Sequence, residues 1–312
     1  MTMTYKRLTA TAMIVIAGIV FLHSLSGAAE QELTALSSHD VMVLYPETLK
    51  DAAADIVRLY PPLRNELERV LEWHIGKRPR VFLINDAARF ADMVGSPHVL
   101  AVADASRNII AIDYTRITVQ PLTLPSVLKH ELCHILLGQH IKREFLPRWL
   151  DEGIAQWLSD GITEMALQSS GAIPSAVLAR NHFAFKKLDA VFPRNPDAMR
   201  IAYAQSKSMV NYLRDRFGTE TLRDILTDLS RDRSIDEALR GHVGLSLKEL
   251  ESQWTDHLDG TVSWIIYMSR HLYIIIFSLT TLVAVVAYAV RRTRLRKIES
   301  LDDDSQDETL FH

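Results

Sequence analysis

Residues 272–290 read LYIIIFSLTTLVAVVAYAV, nineteen positions without a single charge. At 1.5 Å of rise per helical residue such a run spans the hydrocarbon core of a bilayer, about 30 Å thick. Lipid offers a backbone no hydrogen-bond partner, so the run is expected to be a transmembrane helix. The stretch RRTRLRK follows at once, with positive charges at Arg291, Arg292, Arg294, Arg296 and Lys297. Basic residues mark the cytoplasmic end of a span, and Trp264, Tyr267 and Tyr273 suit its outer interface. Residues 291–312 are therefore expected to be a basic juxtamembrane segment and a cytoplasmic tail. The tail, ESLDDDSQDETLFH, is acidic and poor in core-forming residues, and reads as disordered.

The other terminus has its own signature. Lys6 and Arg7 precede an uncharged apolar run over residues 8–22, and small residues follow. Residues 1–29 thus have the layout of an export signal, with cleavage after Ala28 or Ala29, or of an N-terminal anchor that stays in place. On either reading the segment between the two apolar runs is extracytoplasmic, in a periplasm or at a cell surface. A lone cysteine, Cys133, excludes an intramolecular disulfide and leaves the compartment to the termini. With a formal net charge of -3 the chain has no electrostatic footprint for nucleic acid.

Residues 35–258 read as one α+β domain, a small mixed sheet followed by helices. VMVLY (41–45), RVFLI (80–84), VLAVADA (99–105) and NIIAIDY (108–114) are strand candidates, the last two joined by a turn at Ser106 and Arg107. NIIAIDY is a candidate edge strand for pairing with an extended peptide. PETLKDAAADIVRLY and PPLRNELERVLEWHIG read as two helices, separated at Pro61 and Pro62, the second closed by Gly76. Beyond residue 124 the pattern is helical throughout, with Gly218 ending the segment DAMRIAYAQSKSMVNYLRDRFG.

Chemistry concentrates in KHELCHILLGQH, residues 129–140. Apolar residues recur at Val127, Leu128, Leu132, Ile135 and Leu136, which predicts a helix. On it His130 and His134 stand one above the other, close enough to share one metal ion. Glu131 lies about 100° round the axis, where it can lean towards a water in an open coordination position. Cys133, within the motif, reads as a small buried apolar side chain.

Two residues compete as third ligand. His140 has the spacing of the H-E-x-x-H-x-x-G-x-x-H pattern, but Leu137 stands where that pattern places its turning glycine, and Gly138 comes one later. Glu152, in RWLDEGIAQWL, lies on the next predicted helix, from which it can face the ion across a helix pair. HELCH followed by WLDEGIA resembles the gluzincin metallopeptidases of the MA clan, in which an H-E-x-x-H helix precedes a W-L-x-E-G-x-A helix. The resemblance is specific in those two motifs and weak over the rest of the domain.

It implies a zincin-like metallopeptidase domain holding one Zn2+ on His130, His134 and Glu152, with Glu131 as general base. It also implies an oxyanion donor on a later helix, for which Tyr203 is the candidate and Tyr212 the poorer alternative. A core tyrosine with a satisfied hydroxyl is the competing reading of Tyr203. Family members often carry a glutamate four residues past the ligand; here Gln156 offers an uncharged group to orient a ligand histidine. The G-x-M-E-N motif that reads a free amino terminus is absent, which points to an endopeptidase. Asp151 reads as an exposed acid at a helix start. His74, His98, His182, His242 and His257 have no partner at ligand spacing. The competing functions are a metzincin-like peptidase using His140 and a noncatalytic domain that keeps the fold for binding.

Overall fold

A computed structural model describes residues 33–117, 123–159, 178, 181–190, 192–193 and 195–307. The expected signal or anchor, residues 1–29, lies outside the described residues, as do the last five residues of the tail. The chain divides into two compact units, Met1–Asp256 and His257–His312.

The first unit is built on a five-stranded mixed sheet. Its strands are β1 (Thr34–Ser37), β2 (Met42–Tyr45), β3 (Arg80–Ile84), β4 (Ala101–Asp104) and β5 (Ile109–Asp113), in spatial order β1-β2-β3-β5-β4. The inner pairs β2–β3 and β3–β5 are parallel, and the flanking pairs are antiparallel. Inward side chains alternate along β3, where Val81 and Leu83 are buried, whereas all five residues of β5 are buried, as a central strand covered on both faces requires. NIIAIDY is therefore not the edge. Register with both β3 and β4 places it inside the sheet, and β4 is the edge strand on that side. The β4–β5 hairpin turns through Asn108 at φ 57°, a left-handed conformation that asparagine tolerates. Its amide donates to the Lys77 carbonyl, and its oxygen accepts from Gln139.

Helix α1 (Lys50–Leu71) crosses from β2 to the parallel strand β3. It is one helix of 22 residues, not two, and carries Pro61 and Pro62 within it. The prolines remove two backbone donors, a cost of about 3 kcal/mol or more for each in a helix interior. What offsets it is a buried stripe that continues in phase across the break: Ala53, Ile56 and Tyr60 before it, Leu67 and Leu71 after it. The helix ends at Glu72, in left-handed conformation, four residues before Gly76. A short helix, α2 (Ala87–Val94), is capped by Asp86, whose side chain accepts from the Arg89 amide.

Helix α3 (Leu124–His140) packs beside α1 and against β4 and β5. Lys129 reaches from it to Glu66 on α1, 2.8 Å away. Helices α4 (Arg148–Leu158), α5 (Phe185–Ala190), α6 (Pro196–Ser230) and α7 (Ile235–Val243) follow, and α4 packs on both α3 and α6. Gly218, at φ 92° and ψ 160°, breaks α6 where the sequence places a helix end. Trp149, Phe185, His182 and Trp254 form a run of edge-to-face aromatic contacts that ties α4 and α5 to the start of α8 (Leu247–Asp307).

The second unit contains the remainder of α8. Its segment His271–Arg292 has a mean hydropathy of 2.3 and is, among the described residues, the one helix segment long and apolar enough to cross a membrane. Its large side chains, among them Tyr273, Phe277 and Leu282, are exposed. The helix continues to Asp307, through the basic segment and into the tail that composition reads as disordered. No proline or glycine interrupts residues 261–307, so the backbone meets no stop signal there.

Candidate metal centre

The site forms where α3 meets α4. His130 and His134 occupy successive turns of α3, and Glu152 stands in the first turns of α4. The two Nε2 atoms are 3.2 Å apart, and Oε2 of Glu152 lies 3.6 Å from Nε2 of His134 and 3.9 Å from that of His130. His130 and Glu152 are buried. A tetrahedral ion with bonds of about 2.1 Å sets its ligand atoms about 3.4 Å apart, so this triangle has the dimensions of a metal-binding face. Among the described residues it is the one group of three such side chains within metal-binding reach of one another. Glu131, also buried, follows His130 on α3.

The outward nitrogens show which atoms face the centre. His134 donates from Nδ1 to Oδ1 of Asp151 at 2.7 Å. Asp151 is thus no exposed helix-start acid: its side chain is 17% exposed and turned onto His134. Burial alone would lower the pKa of His134, but the carboxylates of Asp151, Glu152 and Glu131 outweigh it and hold the imidazole well above its ordinary value. Burial likewise would raise Asp151, and the attraction of His134 overrides it, so the pair favours charge. A pocket that gathers carboxylates around two imidazoles in this way is matched to a cation, and a metal ion that binds there takes the place of the His134 proton.

On the other histidine, Nδ1 of His130 lies 3.3 Å from the hydroxyl of Ser159. Gln156, expected to orient a ligand histidine, does not: it is fully buried, and its amide has no hydrogen-bond partner among the described residues. The signal for Ser159 was its spacing, seven residues past Glu152, which returns a helical residue to within about 20° of the same face. The signal for Asp151 was its place beside the ligand.

Two glycines set how closely the elements approach. A Cβ on Gly153 would lie 2.5 Å from the Ser206 carbonyl oxygen and 2.6 Å from Val210, so the backbone of α4 beside Glu152 touches α6 directly. A Cβ on Gly138 would lie 2.4 Å from that of Ala105, which explains a glycine at that point without any turn. Helix α3 passes straight through Leu137 and Gly138 to His140. His140 therefore points elsewhere: its Nε2 donates to the His74 carbonyl at 2.9 Å, and its ring stacks on Trp73. Arg148 lies with Nε 3.7 Å from Oε1 of Glu152, on the carboxylate oxygen turned away from the histidines.

Tyr203 is buried on α6 and packs against Phe192, and Tyr212, further along, lies under Arg216. Cys133 is fully buried, and burial pushes its thiol well above the usual value, which leaves it protonated and inert. Of the histidines given no role, His242 pairs with Asp228 and His74 with Glu68.

No curated protein matches this chain. Among solved structures, that of yeast LTA4 hydrolase in complex with Bestatin matches at 13% identity and a TM-score of 0.39, over 65% of this chain. The match covers 34% of that protein, so the chain spans about a third of its length. A family model described as Peptidase MA superfamily matches residues 85–260, more than half of the 312. That span runs from the end of β3 through both metal-site helices, and with it the chain belongs to the Peptidase MA superfamily.

Proposed function

We propose that this chain is a membrane-anchored, zinc-dependent endopeptidase whose active domain lies outside the cytoplasm. The observation that carries the reading is the convergence of His130 Nε2, His134 Nε2 and Glu152 Oε2 beside Glu131. Two neutral imidazoles and one carboxylate are a donor set suited to a catalytic zinc ion, because they leave a coordination position open. When bound, zinc supplies a Lewis acid that polarises a scissile carbonyl and makes water acidic enough to attack it. Glu131 takes the proton of the attacking water and delivers it to the leaving amine. Tyr203 donates a hydrogen bond to the developing oxyanion, with Tyr212 as the alternative donor.

The anchor is the segment His271–Arg292, whose exposed apolar side chains need lipid around them and whose basic continuation faces the cytoplasm. Residues 1–29 direct export. The substrate is a peptide or protein, entered as an extended chain.

The test is cleavage of an unbiased peptide library by the full chain in detergent, with zinc and after chelation, beside Glu131→Gln. Zinc-dependent cleavage that Glu131→Gln abolishes is the expected result. Equal cleavage in both proteins, or none in either, overturns the reading.

A further inference from the structure

Each histidine of the site needs its Nδ1 proton fixed so that Nε2 presents a lone pair to the metal. For His134 a carboxylate does this. For His130 the position four residues past Glu152 holds Gln156, whose buried amide reaches neither histidine. The hydroxyl that meets His130 is instead that of Ser159, buried at the C-cap of α4.

The hydrogen-bond directions around Ser159 can be assigned. Its Oγ lies 2.7 Å from the Ala155 carbonyl oxygen, and a carbonyl only accepts, so the single hydroxyl proton is committed to that bond. What Ser159 turns towards His130, 3.3 Å away, is therefore a lone pair. Only the Nδ1–H tautomer of His130 complements it, and that tautomer leaves Nε2 unprotonated, 3.2 Å from Nε2 of His134. We infer that Ser159 is the positioning residue of His130, locking its tautomer and ring plane through a relay that ends on the backbone of α4. Gln156 has no part in it.

The consequence is a site held unequally. His134 is backed by a charged partner at 2.7 Å and His130 by a neutral one at 3.3 Å. A charge-assisted bond is both shorter and stronger, so of the two Nδ1 contacts that of His130 is the weaker. The inference rests on the metal-site reading above.

The test uses the full chain in detergent with Ser159→Ala and Gln156→Ala. Zinc affinity, measured by competition with a chromophoric chelator, is expected to fall about tenfold in Ser159→Ala and to stay within about twofold in Gln156→Ala. Histidine-selective 15N spectra of the metal-free protein, with His130 assigned from the His130→Ala spectrum, are expected to show the Nδ1–H tautomer in the wild type. In Ser159→Ala a mixture of tautomers replaces it, which a loss of packing alone does not produce. Native zinc affinity in Ser159→Ala, an equal loss in Gln156→Ala, or an Nε2–H tautomer in the wild type overturns the inference. A wild-type chain that binds no zinc sinks the peptidase reading instead, and the tautomer then decides this one by itself.

Discussion

Asp151 and His134 are joined by a 2.7 Å hydrogen bond that runs from one metal-site helix to the other. The bond does two things. It turns Nε2 of His134 towards Glu152, and it makes the imidazole more basic, which strengthens it as a ligand. Asp151→Asn keeps the shape and removes the charge. Metal affinity is expected to fall about 10- to 100-fold, read by chelator competition, with the melting temperature of the metal-free protein little changed.

Glu131 follows His130 on α3 and is not one of the three converging side chains His130, His134 and Glu152. Glu131→Gln is therefore expected to keep its metal while losing peptide cleavage by about 10²- to 10⁴-fold, the usual worth of a positioned general base. Metal content per chain and turnover, measured on one preparation, separate the two effects.

His140 ends α3 with its ring on Trp73 and its Nε2 on the His74 carbonyl. His140→Ala is expected to leave metal content unchanged and to cost about 1 kcal/mol of stability through the lost hydrogen bond. Glu152→Ala is expected to do the reverse, losing the metal. Metal retained in Glu152→Ala and lost in His140→Ala would favour the metzincin-like ligand set.

Gly153 sits where α4 and α6 touch backbone to side chain and backbone to backbone. A methyl group there meets the Ser206 carbonyl oxygen, which cannot rotate away as a flexible side chain would. Gly153→Ala is expected to destabilise the protein by about 1–3 kcal/mol, seen by thermal melting, and to weaken metal binding because Glu152 moves with its neighbour.

If His271–Arg292 spans a membrane with its basic end inside, an epitope tag after His312 is cut by protease added to inside-out vesicles. The domain carrying α3 and α4 is expected to be protected in the same vesicles. Cleavage of that domain with protection of the tag would reverse the orientation.

Local periodicity carried most of what was legible in the chain. Four of the five strands, the helix with His130 and His134 one turn apart, the helix carrying Glu152 and the apolar segment near the C-terminus all follow from side-chain patterns within a single element. Such patterns repeat every two or 3.6 residues, so a short window contains them.

What only the tertiary structure decided depends on how elements cross. The strand order places NIIAIDY inside the sheet because β3 claims its second edge from 25 or more residues away. The two prolines of α1 sit inside one helix because a stripe buried on both sides of them holds it together. The supports of the two histidines, Asp151 and Ser159 instead of Gln156, are fixed by the rotation of α4 against α3. A sequence names the groups able to make those bonds. Which of them face a histidine is a matter of a few tens of degrees about a helix axis, and that angle is set by packing through contacts such as Gly153 against Ser206.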